Sequence, residues 1–185
     1  MDRTQSRARR MPPTGLALTL AAAAVLAGAC GTQPARKAAS APAAPEPCVK
    51  ITAEQPDAAM GLRAMGIVLV NCGERPYKLN GYPSVRVLDA DRKPLDVEVR
   101  TGASVSSAVV DPGPEPVTLR PGGRAVATVV WRNTVTGARE EAVNGSYLRI
   151  APAADRASQT VPSLIDLGTT GTLDVTAWTK PGRRG

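Results

Sequence analysis

Residues 95–100 read Leu-Asp-Val-Glu-Val-Arg, apolar and polar in strict alternation. A period of two is the signature of a strand with one face buried and one solvated. The same period recurs at Val85 and Val87, and again over Ala125, Ala127, Val129 and Trp131. Val49 and Ile51 predict a short first strand, and Leu62 to Asn71 a longer second one. Within the second, Ile67 to Val70 is nearly continuous in apolar residues, the pattern of a strand deep in a sandwich. Val117–Leu119, Tyr147–Ile150 and Leu173–Trp178 complete the set. Between them NGYP at 80–83, DADRKP at 89–94 and PGG at 121–123 carry turn chemistry, and 101–116 reads as a loop ending in DPGPEP. No stretch of 48–179 has a convincing amphipathic helical period. The expectation is an all-β domain at 48–179, an Ig-like antiparallel β-sandwich with Greek-key crossings, of a length that suits one core.

The pattern upstream is different. Arg3, Arg7, Arg9 and Arg10 precede an uncharged run from Leu16 to Ala29, which ends at Cys30. At 14 residues the run is shorter than the roughly 20 a spanning helix needs. It suits the apolar region of a signal peptide. Ala27, Gly28 and Ala29 are small enough for a leader-peptidase cleft, and the stretch resembles a bacterial lipobox. The leucine, Leu26, stands four before the cysteine where three is usual. Residues 1–29 are therefore expected to be a lipoprotein signal peptide, and Cys30 the lipidated residue. The alternative is an ordinary signal peptide cut after Ala29. Residues 30–47 hold alanine and proline with little to bury, and read as a disordered, extended Ala/Pro-rich tether. The expected location is the outer face of the cell membrane, through lipid on Cys30.

Charge changes the picture less than the total suggests. The chain carries +7, yet 48–179 holds 14 basic and 14 acidic residues. The excess lies in the signal peptide, the tether and a basic tail at 180–185. A neutral folded part excludes the electrostatic footprint of a nucleic-acid binder. Cysteine counting is more informative. With Cys30 acylated, Cys48 and Cys72 remain, one opening the first predicted strand and the other closing the second. Antiparallel pairing brings them together, and an extracytoplasmic pair of thiols tends to oxidise. Two cysteines with no histidine cannot complete a usual zinc set, and no metal or other cofactor is implied.

The segments CVKITAEQ, LVNCGERPYKLNGYPSVRVLD, LRPGGRAVATVVW and GTLDVTAW occur in that order through 48–179. Together they resemble a family of secreted actinobacterial lipoproteins carrying an uncharacterised domain, the domain-of-unknown-function 4232 family. The resemblance implies a β-sandwich. Many relatives carry a second, late cysteine pair, where this chain reads EEAVNGSY and LGTTGTLDV with none. The family implies no activity.

Candidate chemistry is sparse. Without histidine a Ser-His-Asp or Cys-His arrangement cannot be built. GASVS at 102–106 lacks the final glycine of a nucleophile elbow. Asp89 and Asp91 are the candidate carboxylate pair, but they fall in a predicted turn, where Asp serves backbone geometry. Calcium there would need more ligands than the stretch offers. Met60 and Met65 suggest a soft-metal site only if histidine accompanies them, and read as core or strand-edge residues. Trp131 and Trp178 read as core. Tyr77 and Tyr82 flank the LNG turn near Cys72 and are the candidate partner surface, together with loop 101–116; the competing reading has the tyrosines closing the sandwich end over the disulfide. The resulting expectation is a cell-envelope lipoprotein presenting a non-catalytic binding module to an unknown envelope protein or glycan. The alternatives are an extracytoplasmic hydrolase with a carboxylate-based site and a purely structural envelope protein.

Overall fold

The computed structural model describes residues 47–137 and 141–182. By compactness the chain divides between Ala43 and Ala44, and every described residue belongs to the second unit. The signal peptide, Cys30 and most of the tether lie outside the described residues, as does the end of the basic tail.

Eleven strands and no helix make up the described residues. They are β1 (Val49–Ala53), β2 (Asp57–Ala59), β3 (Leu62–Asn71), β4 (Tyr77–Leu79), β5 (Ser84–Leu88), β6 (Glu98–Thr101), β7 (Val117–Leu119), β8 (Arg124–Arg132), β9 (Val143–Ala151), β10 (Gln159–Gly168) and β11 (Thr172–Val175). The larger sheet runs β1-β3-β8-β11-β6, with β2 also on β3. The second sheet is β10-β9-β5, and β4 pairs with β7 alone. All pairings are antiparallel except β11 with β6, which run parallel. A parallel pair needs a long crossover, and the chain from β7 to β10 supplies it.

Alternation explains the core. Met65, Ile67 and Leu69 from β3 and Ala125, Ala127, Val129 and Trp131 from β8 face Val85 and Val87 from β5, Leu148 and Ile150 from β9, and Ile165 and Leu167 from β10. This is the two-layer burial of a sandwich. Val68 and Val70 lie on the other face of β3 and are only half-buried, so the near-continuous apolar run does not mark a strand covered on both sides. Trp131 and Trp178 are completely buried. Tyr77, Leu79, Val117 and Leu119, from the β4–β7 pair, join the same core.

Two differences from the predicted elements have local causes. The alternating Leu95, Val97 and Val99 predict a strand from 95, but regular pairing begins only at Glu98, against Thr172. Leu95 instead donates its amide to the Val87 carbonyl at 3.0 Å, across the turn that closes β5. The predicted eighth strand also ends early: β11 stops at Val175. Thr176 continues the contact with β8 from outside the ladder, its hydroxyl accepting the Thr128 amide at 2.8 Å.

The staple stands where the register requires. Val49 is opposite Asn71, so Cys48 and Cys72 meet one step beyond, joined by a disulfide. Asn71, buried to 1% exposure, secures the same end. Its amide nitrogen donates to the carbonyls of Arg75 and Leu119, at 2.8 and 3.1 Å, and its oxygen accepts the Gly73 amide. Gln159 joins the two sheets. Its side-chain oxygen accepts the Ile51 amide at 3.0 Å and its nitrogen donates to the Val49 carbonyl at 2.7 Å, so a side chain acts as the next strand beside β1.

Candidate functional site

The loop at 101–116 is held by two carboxylates. Asp174 sits in β11 beside Arg100 of β6, and its side chain is fully buried. One oxygen accepts Arg100 Nε and Nη2, both at 2.9 Å. The other accepts the Ser104 hydroxyl at 2.7 Å and the Val105 amide at 2.8 Å. Burial works against ionisation here, but these donors outweigh it and hold the carboxyl below its ordinary value. The start of the loop is thereby pinned to the sheet.

Asp111 fixes the far part. One of its oxygens accepts the Tyr82 hydroxyl at 2.8 Å, and the other accepts the Ala177 amide at 2.9 Å. The hydrogen bond to Asp111, with some burial, raises the Tyr82 phenol above its usual value. The structure therefore brings together two of the sequence candidates, Tyr82 and loop 101–116.

Beyond Asp111 the loop overhangs a recess of about 470 Å³ bordered by Pro112, Glu115, Pro116, Trp178 and Lys180. Trp178 is its inner wall, fixed by its indole N–H donating to the Pro152 carbonyl at 2.9 Å. A second recess, of about 360 Å³, lies between Tyr77, Leu79, Pro116, Pro152, Asp155 and Arg156. Pro116 borders both. Tyr77 is only 7% exposed, so it does not present an aromatic face as the partner-surface expectation required. It belongs to the core beneath the second recess. Burial raises its phenol, while Arg156 lowers it and Asp155 raises it further.

The remaining candidates are placed in turns or core. Asp89 Oδ1 accepts the Lys93 amide at 2.8 Å, and its backbone closes the same turn. Asp91 lies exposed with Lys93 at 3.7 Å. Both serve the turn that sequence chemistry indicated. Met60 is 99% exposed with φ of 45°, followed by Gly61 at 77°, the two left-handed residues of a β2–β3 hairpin. Met65 is in the core. Among the described residues no three His, Cys, Asp or Glu side chains group so as to hold a metal ion.

Sequence reading missed Asp166. It accepts Arg63 Nε and Nη2 at 3.1 and 2.9 Å, the Asn133 amide, and the Trp131 indole at 3.2 Å. Burial opposes the charge, but Arg63, Asn133 and Trp131 hold this carboxyl below its ordinary value. The signal was a lone acid between Ile165 and Leu167, two core positions of one strand. Asp111, Asp166 and Asp174 are each engaged by internal donors, a structural use of charge.

Neither a curated protein nor a solved structure matches the chain. A family model matches residues 45–179, which takes in all eleven strands and the loops between them. The chain belongs to the family described as a domain of unknown function (DUF4232).

Proposed function

We propose that the domain is a non-catalytic binding module, held outside the cell membrane by lipid on Cys30, that engages an envelope protein or glycan through the surface around Pro116. The observation that carries this reading is the pinned loop. Asp174 and Asp111 hold 101–116 at two points, so the two recesses sharing Pro116 are preformed. A surface ordered before binding loses less conformational entropy on association. Concave recesses with apolar walls and a few polar groups are the usual shape of a recognition site. The disulfide fits an oxidising compartment, which supports display outside the membrane.

Site-specific photocrosslinking in living cells tests the reading. A photoreactive residue at Glu115 or Lys180 is expected to yield discrete adducts, and one at the exposed Thr52 on β1 is expected to yield none. Equal adducts from all three positions would place recognition elsewhere. Turnover of envelope polysaccharide by the purified protein, lost in Asp89→Asn or Asp91→Asn, would overturn the non-catalytic reading.

A further inference from the structure

The outer face of the three-stranded sheet holds an electrostatic arrangement that the fold does not explain. Arg86 of β5 and Arg149 of β9 are direct cross-strand partners. Like charges directly opposite each other destabilise a sheet. On its other side Arg149 faces Thr160 of β10. The same-face neighbours along and across the strands are Ser84, Leu88, Tyr147, Ala151 and Pro162, with no carboxylate among them. Among the described residues neither arginine side chain has a hydrogen bond or ion pair, although Arg149 is half-buried.

A third arginine converges from the β9–β10 turn. Arg156 borders, with Ser84, Arg86, Arg149 and Ser158, a recess of about 180 Å³. Its one carboxylate contact is Asp155 at 3.8 Å, a pair exposed on both sides and worth little in water. Arg92 extends the positive face by lying over the Tyr147 ring, 5.2 Å from its centre. A domain with balanced total charge thus carries four arginines on this face, with the exposed Asp155 as the one carboxylate paired to any of them among the described residues.

We infer that this recess is a binding site for a phosphoryl group, with the guanidinium groups of Arg86, Arg149 and Arg156 and the hydroxyls of Ser84 and Ser158 as its donors. The volume exceeds the roughly 30 Å³ share of one water molecule several-fold. Guanidinium forks match phosphate oxygens bidentately, and charge-assisted bonds of this kind are the strong ones. Forks arriving from two strands and a turn suit a tetrahedral group better than a planar carboxylate, which offers two oxygens in one plane. The phosphoryl group can belong to a phosphodiester polymer or to a phospholipid headgroup, since the recognising chemistry is the same. Arg156 also borders the second recess beside Pro116, but Arg86 and Arg149 border neither recess there, so the inference stands without the reading made of that surface.

Amide chemical shifts of the purified full-length protein, titrated with inorganic phosphate at constant ionic strength, test it. Saturable shifts are expected at 84–86, 149–151 and 156–158, with acetate and chloride far weaker. Arg149→Gln should weaken phosphate binding at least about tenfold, the scale of one lost charge-assisted bond, while its melting temperature without phosphate is unchanged or higher because the Arg86 repulsion is relieved. Arg86→Gln, at an exposed position, should weaken binding without threatening the fold. Tighter saturation by a soluble glycerol phosphodiester oligomer identifies a polymer; tighter saturation by dihexanoylphosphatidylglycerol below its micellar concentration identifies a headgroup. Equal binding by wild type and both variants, equal shifts with chloride, or no shift with any phosphoryl compound would overturn the inference.

Discussion

Asp174 shows how a single residue of this chain couples fold to surface. Its carboxylate is buried among four donors, and two of them, the Ser104 hydroxyl and the Val105 amide, belong to the loop that borders the proposed partner surface. Removing one partner of a buried ion pair costs about 3–5 kcal/mol. Asp174→Ala should fall near 3 kcal/mol, because the Arg100 left behind is 39% exposed and can turn to water. Chemical denaturation measures this, and limited proteolysis should show new cleavage within 101–116. The depressed carboxyls of Asp174 and Asp166 also set an acid response. As pH falls toward about 4 the unfolded chain takes up protons on these carboxyls before the folded one does. Stability is then full above that point and declines below it, until the folded carboxyls also protonate. Melting temperatures from pH 6 to pH 2 should fall accordingly, and the fall should be shallower in Asp174→Asn. At the other loop anchor, Tyr82→Phe removes the donor to Asp111 and should cost about 1 kcal/mol. At this scale the sequence indicated Tyr82 and the loop as separate features. It could not show that Asp111 links them, because a contact between residues 82 and 111 leaves no trace in local spacing.

Strands were legible in proportion to how regularly they alternate. β3 runs from Leu62 to Asn71 as predicted, and β8 buries the four alternating residues the pattern marked. β10 was not seen, although it has ten residues. Its sequence contains Pro162, and its register against β9 shifts between Pro162 and Ile165 and again between Asp166 and Gly168. The buried side nevertheless stays on the odd positions Val161, Ile165 and Leu167; the period is hidden in the sequence because Ser163 occupies that side and Leu164, exposed, the other. β9 was expected from Tyr147 but begins at Val143. Its start passes through Asn144-Gly145, which resembles a turn; Gly145 is there because any side chain would strike Val87 and Ile165. The disulfide was readable because it depends on one short antiparallel pairing. Closing a loop of 24-residue separation, it should contribute about 3 kcal/mol in the chain-entropy model. Reduction, or Cys48→Ser with Cys72→Ser, should lower the melting temperature, and reduction should add two hydrogens to the intact mass. Gln159→Ala should also destabilise the protein, since it removes both bonds that cap the β1 edge, with about 1–2 kcal/mol lost.

For the whole molecule, the sandwich and the uncharged N-terminal run answer different questions, and neither answers the other's. The sandwich explains how a domain with no phenylalanine and few aromatics holds together: one continuous core, two buried tryptophans and a staple at the β1–β3 end. The N-terminal pattern concerns delivery. If Leu16–Ala29 is the apolar region of a lipoprotein signal peptide, the thiol of Cys30 carries the anchor, and binding at the surface around Pro116 takes place within tether reach of the membrane. Two or three acyl chains hold a protein stably where one does not. The wild-type protein should then partition into the detergent phase, and Cys30→Ala should appear either in the aqueous phase or as an unprocessed precursor. The folded domain is untouched by this substitution, because its disulfide uses the other two cysteines. Its melting temperature, and the phosphate response at Arg149, should therefore match wild type. A wild-type protein recovered wholly in the aqueous phase, with a free thiol at an N-terminal Cys30, would remove the anchor and leave only export. A Cys30→Ala protein that still partitions with detergent would show that the sequence is held by something other than lipid on this cysteine.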